Sequence, residues 1–358
     1  MAFATILTFT LVPILVFALW HLTSTTLPPI PPLLRNKRII LLIAHPDDES
    51  MFFSPTLQAL THPSLQNHLK ILCMSTGDSE GLGATRRVEL EKAAVTLGVR
   101  RKEDVFVLDD ERFKDGMTQD WKADDISRVL ASAFAPHLNS GPSTTSTSTP
   151  TAPPARPRPE SSSDKEKEKE KDKDKKKPTK SSPSSKHTKS SSRPLTSTGS
   201  PAAAAAPKEP DGPRATIDVL ITFDADGISS HPNHKALYHG AVLFVQKIMR
   251  GHSGYACPVS LYVLPSINIV RKYSFILDAV PTFVSGIYAS MFGKLLGGRA
   301  GAKDDRVVFV NDVVRYWKAR EAMVSGHQSQ MVWFRWGWIG LGRYMVVNDL
   351  RRERVIAT

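Results

Sequence analysis

The chain has 358 residues, of which 41% are hydrophobic and 23% charged, so it can bury a sizeable core. Its formal net charge is +12, but more than half of this excess lies in one low-complexity stretch, residues 151–210. The basic character therefore does not indicate a nucleic-acid-binding surface. Two cysteines, Cys73 and Cys257, provide neither a disulfide framework nor the spacing of a cysteine-based metal site.

The N-terminus is strongly apolar over residues 2–22, a length close to the ~20 residues of a membrane-spanning helix. No basic residue precedes this segment, and it exceeds the apolar part of an ordinary signal peptide. The sequence therefore predicts a transmembrane anchor over residues 1–26. Arg35, Lys37 and Arg38 follow it, which predicts a cytosolic location for the rest of the chain.

The next element is an apolar run, residues 39–44, that ends directly before the polar sequence HPDDE. Such a run, bounded by a proline turn, is typical of a strand buried in a parallel sheet. Similar runs predict strands at 69–77, 104–110 and 216–224, and residues 85–98 predict a helix. Alternating strands and helices predict a doubly wound, Rossmann-like α/β fold with a mostly parallel sheet.

Residues 140–213 interrupt this pattern with serine, proline, lysine and glutamate repeats that have little to bury. We predict a disordered insertion there, which divides a catalytic domain into parts 36–139 and 214–358. The second part contains an aromatic segment, residues 331–347, in which tryptophans alternate with arginines. This pattern predicts a segment at a membrane interface, with an aromatic core helix as the alternative.

Polar residues follow two of the predicted strands at the edge where open α/β sheets bind ligands. His45 and Asp48 follow the first strand, and the sequence HPNH, residues 231–234, follows the strand at 216–224. With His234, they supply the three protein ligands of a catalytic zinc site. Each motif alone also fits a helix cap or a proline turn. Their joint occurrence at two strand ends favours a metal site.

These two motifs carry a resemblance to a known family. AHPDDE at 44–49 and HPNH at 231–234 resemble the N-acetylglucosaminyl-phosphatidylinositol de-N-acetylases, PIG-L, within the LmbE-like zinc deacetylases. The segments LCMSTGD, LDDERFKDG, SINIVRKYSFILD and HQSQMVWFRWGWIGLGRYMVVNDL are similar to the eukaryotic membrane branch. The chain departs from the family at Ser230, where a glycine is expected, and at Gln328, where an arginine is more common.

The resemblance implies a role for each residue of the two motifs. His45, Asp48 and His234 match the zinc ligands, although iron or cobalt would also suit this set of donors. Asp47 matches the general base that acts on water. His231 matches the group that stabilises the tetrahedral intermediate and protonates the departing amine. With its ordinary pKa of about 6.5, His231 is expected to be cationic when the oxyanion forms.

Three further residues are candidates for substrate binding. Arg86 matches a family arginine near the sugar, Asp109 ends a predicted strand on the ligand side and could bind a sugar hydroxyl, and His327 lies in the motif HQSQ. Each also has a structural alternative. Arg86 lies on a predicted helix beside glutamates and could form a solvated ion pair. The neighbouring Asp110 could bind the sugar hydroxyl in place of Asp109. His327 could pack within a helix. Glu49 is expected to orient the metal ligands through hydrogen bonds.

The resemblance implies an enzyme of the endoplasmic reticulum membrane with its catalytic domain in the cytosol. Its expected partners are a glycolipid substrate and the lipid bilayer, and no protein partner is indicated. The expected reaction is deacetylation of N-acetylglucosaminyl-phosphatidylinositol, an early step in glycosylphosphatidylinositol anchor synthesis. Two alternatives remain from the sequence: a zinc deacetylase of another N-acyl amino sugar or small amide, and a non-catalytic membrane scaffold.

Overall fold

The computed structural model describes residues 2–26, 30–138, 212–282 and 306–355. Its strands are β1 (Arg38–Ile43), β2 (His68–Cys73), β3 (Val105–Val107), β4 (Val219–Phe223), β5 (Ser260–Leu264), β6 (Arg306–Val310) and β7 (Val347–Glu353). Its helices are α1 (Ala2–Thr25), α2 (Asp48–Met51), α3 (Ser54–Leu60), α4 (Gly83–Thr96), α5 (Ala123–Phe134), α6 (Gly227–Ser230), α7 (Pro232–Met249), α8 (Ile269–Lys272), α9 (Val313–Glu321) and α10 (Trp333–Leu341). Strands occur in all four segments where the sequence predicts them.

The strands form one seven-stranded sheet in the order β3-β2-β1-β4-β5-β7-β6. The first five strands of this order are parallel, whereas β7 pairs antiparallel with both β5 and β6. The mostly parallel sheet is confirmed, and the antiparallel edge is an addition that the sequence does not predict. The strand order reverses between β1 and β4. Open α/β sheets bind their ligands at such a switch point.

The two central strands are buried almost along their whole length, as expected of strands covered by helices on both faces. Helix α5 packs closely against α7, which also contacts β4 and β5. Helices α3 and α4 each contact α9, and α4 also contacts a turn of π-helix, Ala322–Gly326, that continues α9. These two groups of helices pack around the sheet, which confirms a mixed α/β fold with a central sheet.

The predicted domain boundaries are compatible with a single catalytic unit. The described residues within Met1–Pro142 and Asp211–Thr358 belong to one compact unit, and the domain boundaries themselves stay predictions. The predicted disordered insertion at 140–213 falls almost entirely outside the described residues. It therefore stays a prediction.

The predicted N-terminal anchor is a helix, α1, whose C-terminal part contacts the catalytic unit. The Trp20 indole donates a hydrogen bond of 2.7 Å to the carbonyl of Asn311 and meets the rings of Phe275 and Tyr316 edge to face. In the parts of the chain that the structure describes, no helix combines the length and apolar character needed to cross a membrane. The helix is thus confirmed, and the transmembrane crossing is not.

The contact between α5 and α7 depends on a glycine. A Cβ atom at Gly240 would lie 2.4 Å from Cγ2 of Ile126, far inside van der Waals contact. We expect Gly240→Ala to lower the free energy of unfolding by about 1–3 kcal/mol, because overpacking forces the helices apart. Urea denaturation with and without the substitution measures this loss.

Gly337 on α10 is the matched control, since a Cβ atom there meets no neighbour within 4 Å. Gly337→Ala should leave stability unchanged or raise it by up to about 1 kcal/mol through helix propensity. Equal effects of the two substitutions would show that the α5–α7 contact is not limited by the size of residue 240.

Candidate metal centre

The turn after β1 holds two aspartates in a constrained conformation. The Asp48 Oδ2 atom accepts hydrogen bonds of 3.0 Å from the backbone N–H groups of Ala44 and His45. Asp47 adopts a φ of 123°, which is rare for a residue other than glycine. Its backbone N–H donates to Glu49 Oε2 at 3.2 Å, and this bond helps to hold the turn. Strained backbone of this kind is concentrated at functional sites.

His234 approaches Asp48 from the first turn of α7. Its Nδ1–H group donates to the carbonyl of Gly227 at 3.2 Å, and its ring stacks on Phe223 with centroids 3.9 Å apart. Because Nδ1 carries the proton, Nε2 presents a lone pair. That nitrogen lies 3.2 Å from Asp48 Oδ1, is buried and makes no hydrogen bond. Two acceptor atoms thus face each other across a gap that a cation would bridge.

His45 completes this group of donors. Its ligand atom and those of Asp48 and His234 all lie within 4.8 Å of one another, and all three residues are buried. Burial opposes protonation of His45, but the Asp115, Asp48 and Asp47 carboxylates outweigh it and raise the pKa of His45. The surroundings therefore favour positive charge at this position. Two imidazoles and one carboxylate fit the ligand set of a catalytic zinc site.

Asp115 also belongs to the site, although its position in the sequence does not mark it as a site residue. Its Oδ1 lies 3.1 Å from His45 Nε2, and its Oδ2 lies 3.3 Å from Arg86 Nη1. Burial opposes its ionisation, but His45, Arg86 and His231 lower the pKa of Asp115 to about 2. With His45 and His231 it forms a second group of possible metal ligands. The motif LDDERFKDG contains Asp115. A turn of 3₁₀ helix lies between β3 and Asp115, so the sequence does not show that Asp115 reaches the site.

His231 caps the N-terminus of α7. Its Nδ1 accepts a hydrogen bond of 3.3 Å from the backbone N–H of Asn233, which leaves the proton of a neutral ring on Nε2. Burial, with the nearby rings of His234 and His45, lowers the pKa of His231 to about 4. The lowered pKa favours the neutral form of His231, and its role in protonating the departing amine stays a prediction. In this environment the residue is a neutral hydrogen-bond donor.

Two arginines lie beside Asp47. Arg86 is buried and donates to the carbonyls of Gly77 at 2.6 Å and Pro46 at 3.0 Å, so it supports the turn and does not form a solvated ion pair. Arg335, on α10, places Nη1 2.5 Å from Asp47 Oδ2. We did not predict this contact, because the aromatic segment around Arg335 gives a stronger signal for a membrane interface.

The structure separates the other predicted residues from the metal ligands. His327 is fully buried and forms a 2.6 Å contact with Glu49, whose other carboxylate oxygen holds the Asp47 turn. This favours the structural alternative for His327 over a substrate contact. Asp109 is exposed and lines a neighbouring pocket of about 310 Å³, whereas Asp110 caps a 3₁₀ turn and pairs with Arg112.

The candidate ligands open into a cleft of about 500 Å³. It is lined by His45, Asp47, Asp48, Met51, Phe52, Ser79, Glu80, Arg86, Asp115, Met117, Ser229, His231, His234, Gln330, Phe334 and Arg335. The cleft therefore brings together a metal-binding group, a carboxylate that can act as base and a neutral imidazole donor. Such a set suits the hydrolysis of an amide.

Comparison with known proteins agrees with this chemistry. The family model described as PIG-L, GlcNAc-PI de-N-acetylase, matches residues 40–150. The N-acetylglucosaminyl-phosphatidylinositol de-N-acetylase of Arthroderma benhamiae is 39% identical over 396 residues, covering 98% of both chains. A probable N-acetylglucosaminyl-phosphatidylinositol de-N-acetylase of Schizosaccharomyces pombe is 30% identical, covering 88% of this chain and 86% of the relative.

The site and these similarities together define a hydrolase that acts on an amide. The chain belongs to the PIG-L family of de-N-acetylases. The sequence predicts both the family and this type of enzyme, and both are confirmed.

The two histidines of HPNH should respond differently to substitution. His234→Ala removes one of three candidate ligands, so bound zinc and activity should fall together. His231→Ala should retain zinc while kcat falls roughly 10²- to 10³-fold, as for loss of an oxyanion donor. Metal analysis of the purified variants, with steady-state kinetics, measures both effects.

His239 on the same helix is exposed, and His239→Ala provides the matched control. It should change neither zinc content nor kcat. Loss of zinc from His231→Ala with retention by His234→Ala would instead assign the metal to the group formed by His45, Asp115 and His231.

Proposed function

We propose that the protein removes the acetyl group from N-acetylglucosaminyl-phosphatidylinositol, releasing acetate and glucosaminyl-phosphatidylinositol. The observation that carries this proposal is the buried, unpaired Nε2 of His234 facing the Asp48 carboxylate at the head of the cleft. The names of the relatives support the substrate. The reaction would be an early step in glycosylphosphatidylinositol anchor synthesis.

The donor set supports a zinc ion held by His45, Asp48 and His234, and the same nitrogen and oxygen donors also accept iron or cobalt. When bound, zinc supplies a Lewis acid that polarises the amide carbonyl and favours ionisation of water. Asp47 lies beside these ligands and lines the same cleft, so its carboxylate can take the proton of the attacking water.

The protonation state of His231 determines which group can give a proton to the departing amine. A neutral imidazole can donate its Nε2–H to the oxyanion, but losing that proton would leave an unfavourable imidazolate. The proton that reaches the amine nitrogen is therefore the one that Asp47 removed from water. As the C–N bond breaks, the water oxygen stays with the acetyl carbon and acetate leaves.

The exposed surface beside the cleft supports a lipid substrate. Trp333 is 85% exposed, Phe334 53% and Trp336 47%, and Phe334 also lines the cleft. Exposed aromatic residues together with arginines are typical of segments at a membrane interface. We propose that this part of α10 and the N-terminal helix α1 contact the cytosolic face of the endoplasmic reticulum membrane, which holds the cleft beside its substrate.

Acetate release from N-acetylglucosaminyl-phosphatidylinositol in vesicles tests the proposed reaction. The purified enzyme should release acetate, a chelator should abolish the release, and added zinc should restore it. Asp47→Asn keeps the shape of the side chain but removes the base, so it should retain zinc and lose at least about 10²-fold in kcat.

A water-soluble N-acetylglucosamine glycoside without lipid is the control substrate. Equal kcat/KM for the soluble glycoside and the lipid would favour a deacetylase of another N-acyl amino sugar. Full activity of Asp47→Asn would contradict the hydrolytic mechanism, and purified protein that binds no metal would favour a non-catalytic role.

A further inference from the structure

Arg335 has donor groups that the protein does not use. The guanidinium reaches into the cleft from α10, contacts Asp47 through Nη1 and also meets the sulfur of Met51. Its Nε is buried and has no hydrogen-bond acceptor. An arginine can donate five hydrogen bonds from a planar group, and it binds phosphate best through two parallel bonds. Its single carboxylate contact leaves that capacity largely free.

The other arginine of the cleft, Arg86, also has a buried Nε without an acceptor, but both of its Nη groups are held by backbone carbonyls. Arg86 donates to two backbone carbonyls, lies 3.3 Å from Asp115 and is only 6% exposed. Moving it would remove the support of the turn that carries Asp47. Among the cleft residues that the structure describes, Arg335 is therefore the cation best able to exchange its partner for an anionic group of a ligand.

The position of Arg335 fits one part of a phospholipid. On one side lies the candidate metal group, where an N-acetyl group would react. On the other side lie Phe334 and Trp336, whose rings are half exposed. A phosphodiester that joins a sugar head group to an acylglycerol would come between these two regions. Arg335 connects the two regions: it contacts Asp47 beside the candidate ligands, and its neighbours along the chain are the exposed Phe334 and Trp336.

We propose that Arg335 binds the phosphodiester of the lipid substrate and leaves its contact with Asp47 when it does so. This inference rests on the proposed function, because it takes the phospholipid as substrate. It assigns Arg335 to substrate selection: substrates with a phosphodiester gain a charge-assisted, two-bond contact that uncharged glycosides lack. The exchange also removes a cation from Asp47 only when the correct substrate is present.

The test uses two water-soluble substrates, N-acetylglucosaminyl-inositol with a glycerophosphodiester and the same glycoside without phosphate. We expect the wild-type enzyme to favour the phosphodiester roughly 10- to 100-fold in kcat/KM, the range for hydrogen bonds to a charged group. Arg335→Gln should reduce this preference to near unity, and Arg335→Lys should restore part of it. Zinc content and thermal unfolding verify that the variants fold.

Arg320 provides the matched control. It lies against the rings of Trp317 and Trp336 on the same surface but does not line the cleft. Arg320→Gln removes the same charge and should keep the preference for the phosphodiester. A preference that persists in Arg335→Gln, or that disappears equally in Arg320→Gln, would overturn the assignment of Arg335.

Calorimetric binding of glycerophosphoinositol separates this inference from the proposed reaction. The wild-type protein should bind it, and Arg335→Gln should bind it at least about 10-fold more weakly. Binding that depends on Arg335 in a protein that deacetylates neither substrate would refute the reaction and retain the anion site. Equal binding of inorganic phosphate and glycerophosphoinositol would indicate a site for free phosphate and overturn the lipid assignment.

Discussion

The candidate site depends on placing several carboxylates in a partly dry cleft. Burying a charged carboxylate is costly unless hydrogen bonds and opposite charges compensate it. Each carboxylate here has such partners: Asp48 has two backbone N–H groups, Asp47 has Arg335, and Asp115 has His45 and Arg86. The positions of these partner groups around the cleft are therefore the ones that compensate the three carboxylates. A metal ion held between Asp48 and His234 would supply further positive charge to compensate these carboxylates.

This constraint explains why distant segments converge on one turn. The strained turn at Asp47 is held from behind by Glu49, whose carboxylate contacts the buried His327 beyond the π-helical turn. Arg86 holds the same turn through the carbonyl of Pro46. Arg86 and His327, two of the residues predicted to bind substrate, therefore contact the turn that carries Asp47 and Asp48. They fix the backbone whose direction determines where Asp47 and Asp48 point.

A second buried charge network stabilises the region on the other side of α10. Arg343 is fully buried and pairs with Asp278 and with Asp349, the latter at 2.7 Å, while Arg271 also contacts Asp278 at 2.6 Å. Loss of one partner from a buried network of this kind typically costs about 3–5 kcal/mol. The network joins β7 to the segment that follows β5.

The parts of the fold that the sequence predicts are those with a local signal. Apolar runs mark β1, β2, β3 and β4. The candidate ligands His45 and Asp48 follow β1 within five residues, and His234 follows β4 after a short connecting segment. β7 has no such run: it contains Asn348, Asp349 and arginines, and Asn348 is buried because its amide bonds to Thr56 and the carbonyl of Phe52. Asp115 and Arg335 reach the cleft through the path of a loop and the angle of a helix. Neither depends on spacing along the chain, so the sequence does not predict their contacts.

Helix α10 links the chemistry of the cleft to the exposed surface because its two faces have different partners. Arg335, Trp338 and Ile339 are spaced as one helical face, and that face is turned toward the protein. Trp338 donates to the carbonyl of Met51 at 3.1 Å, so the helix is anchored to the short helix that begins at Asp48, a candidate ligand. Trp333 and Trp336 lie outside this face and remain exposed. A displacement of α10 would therefore move Arg335 relative to Asp47, so the proposed contact with lipid and access to the candidate base would change together.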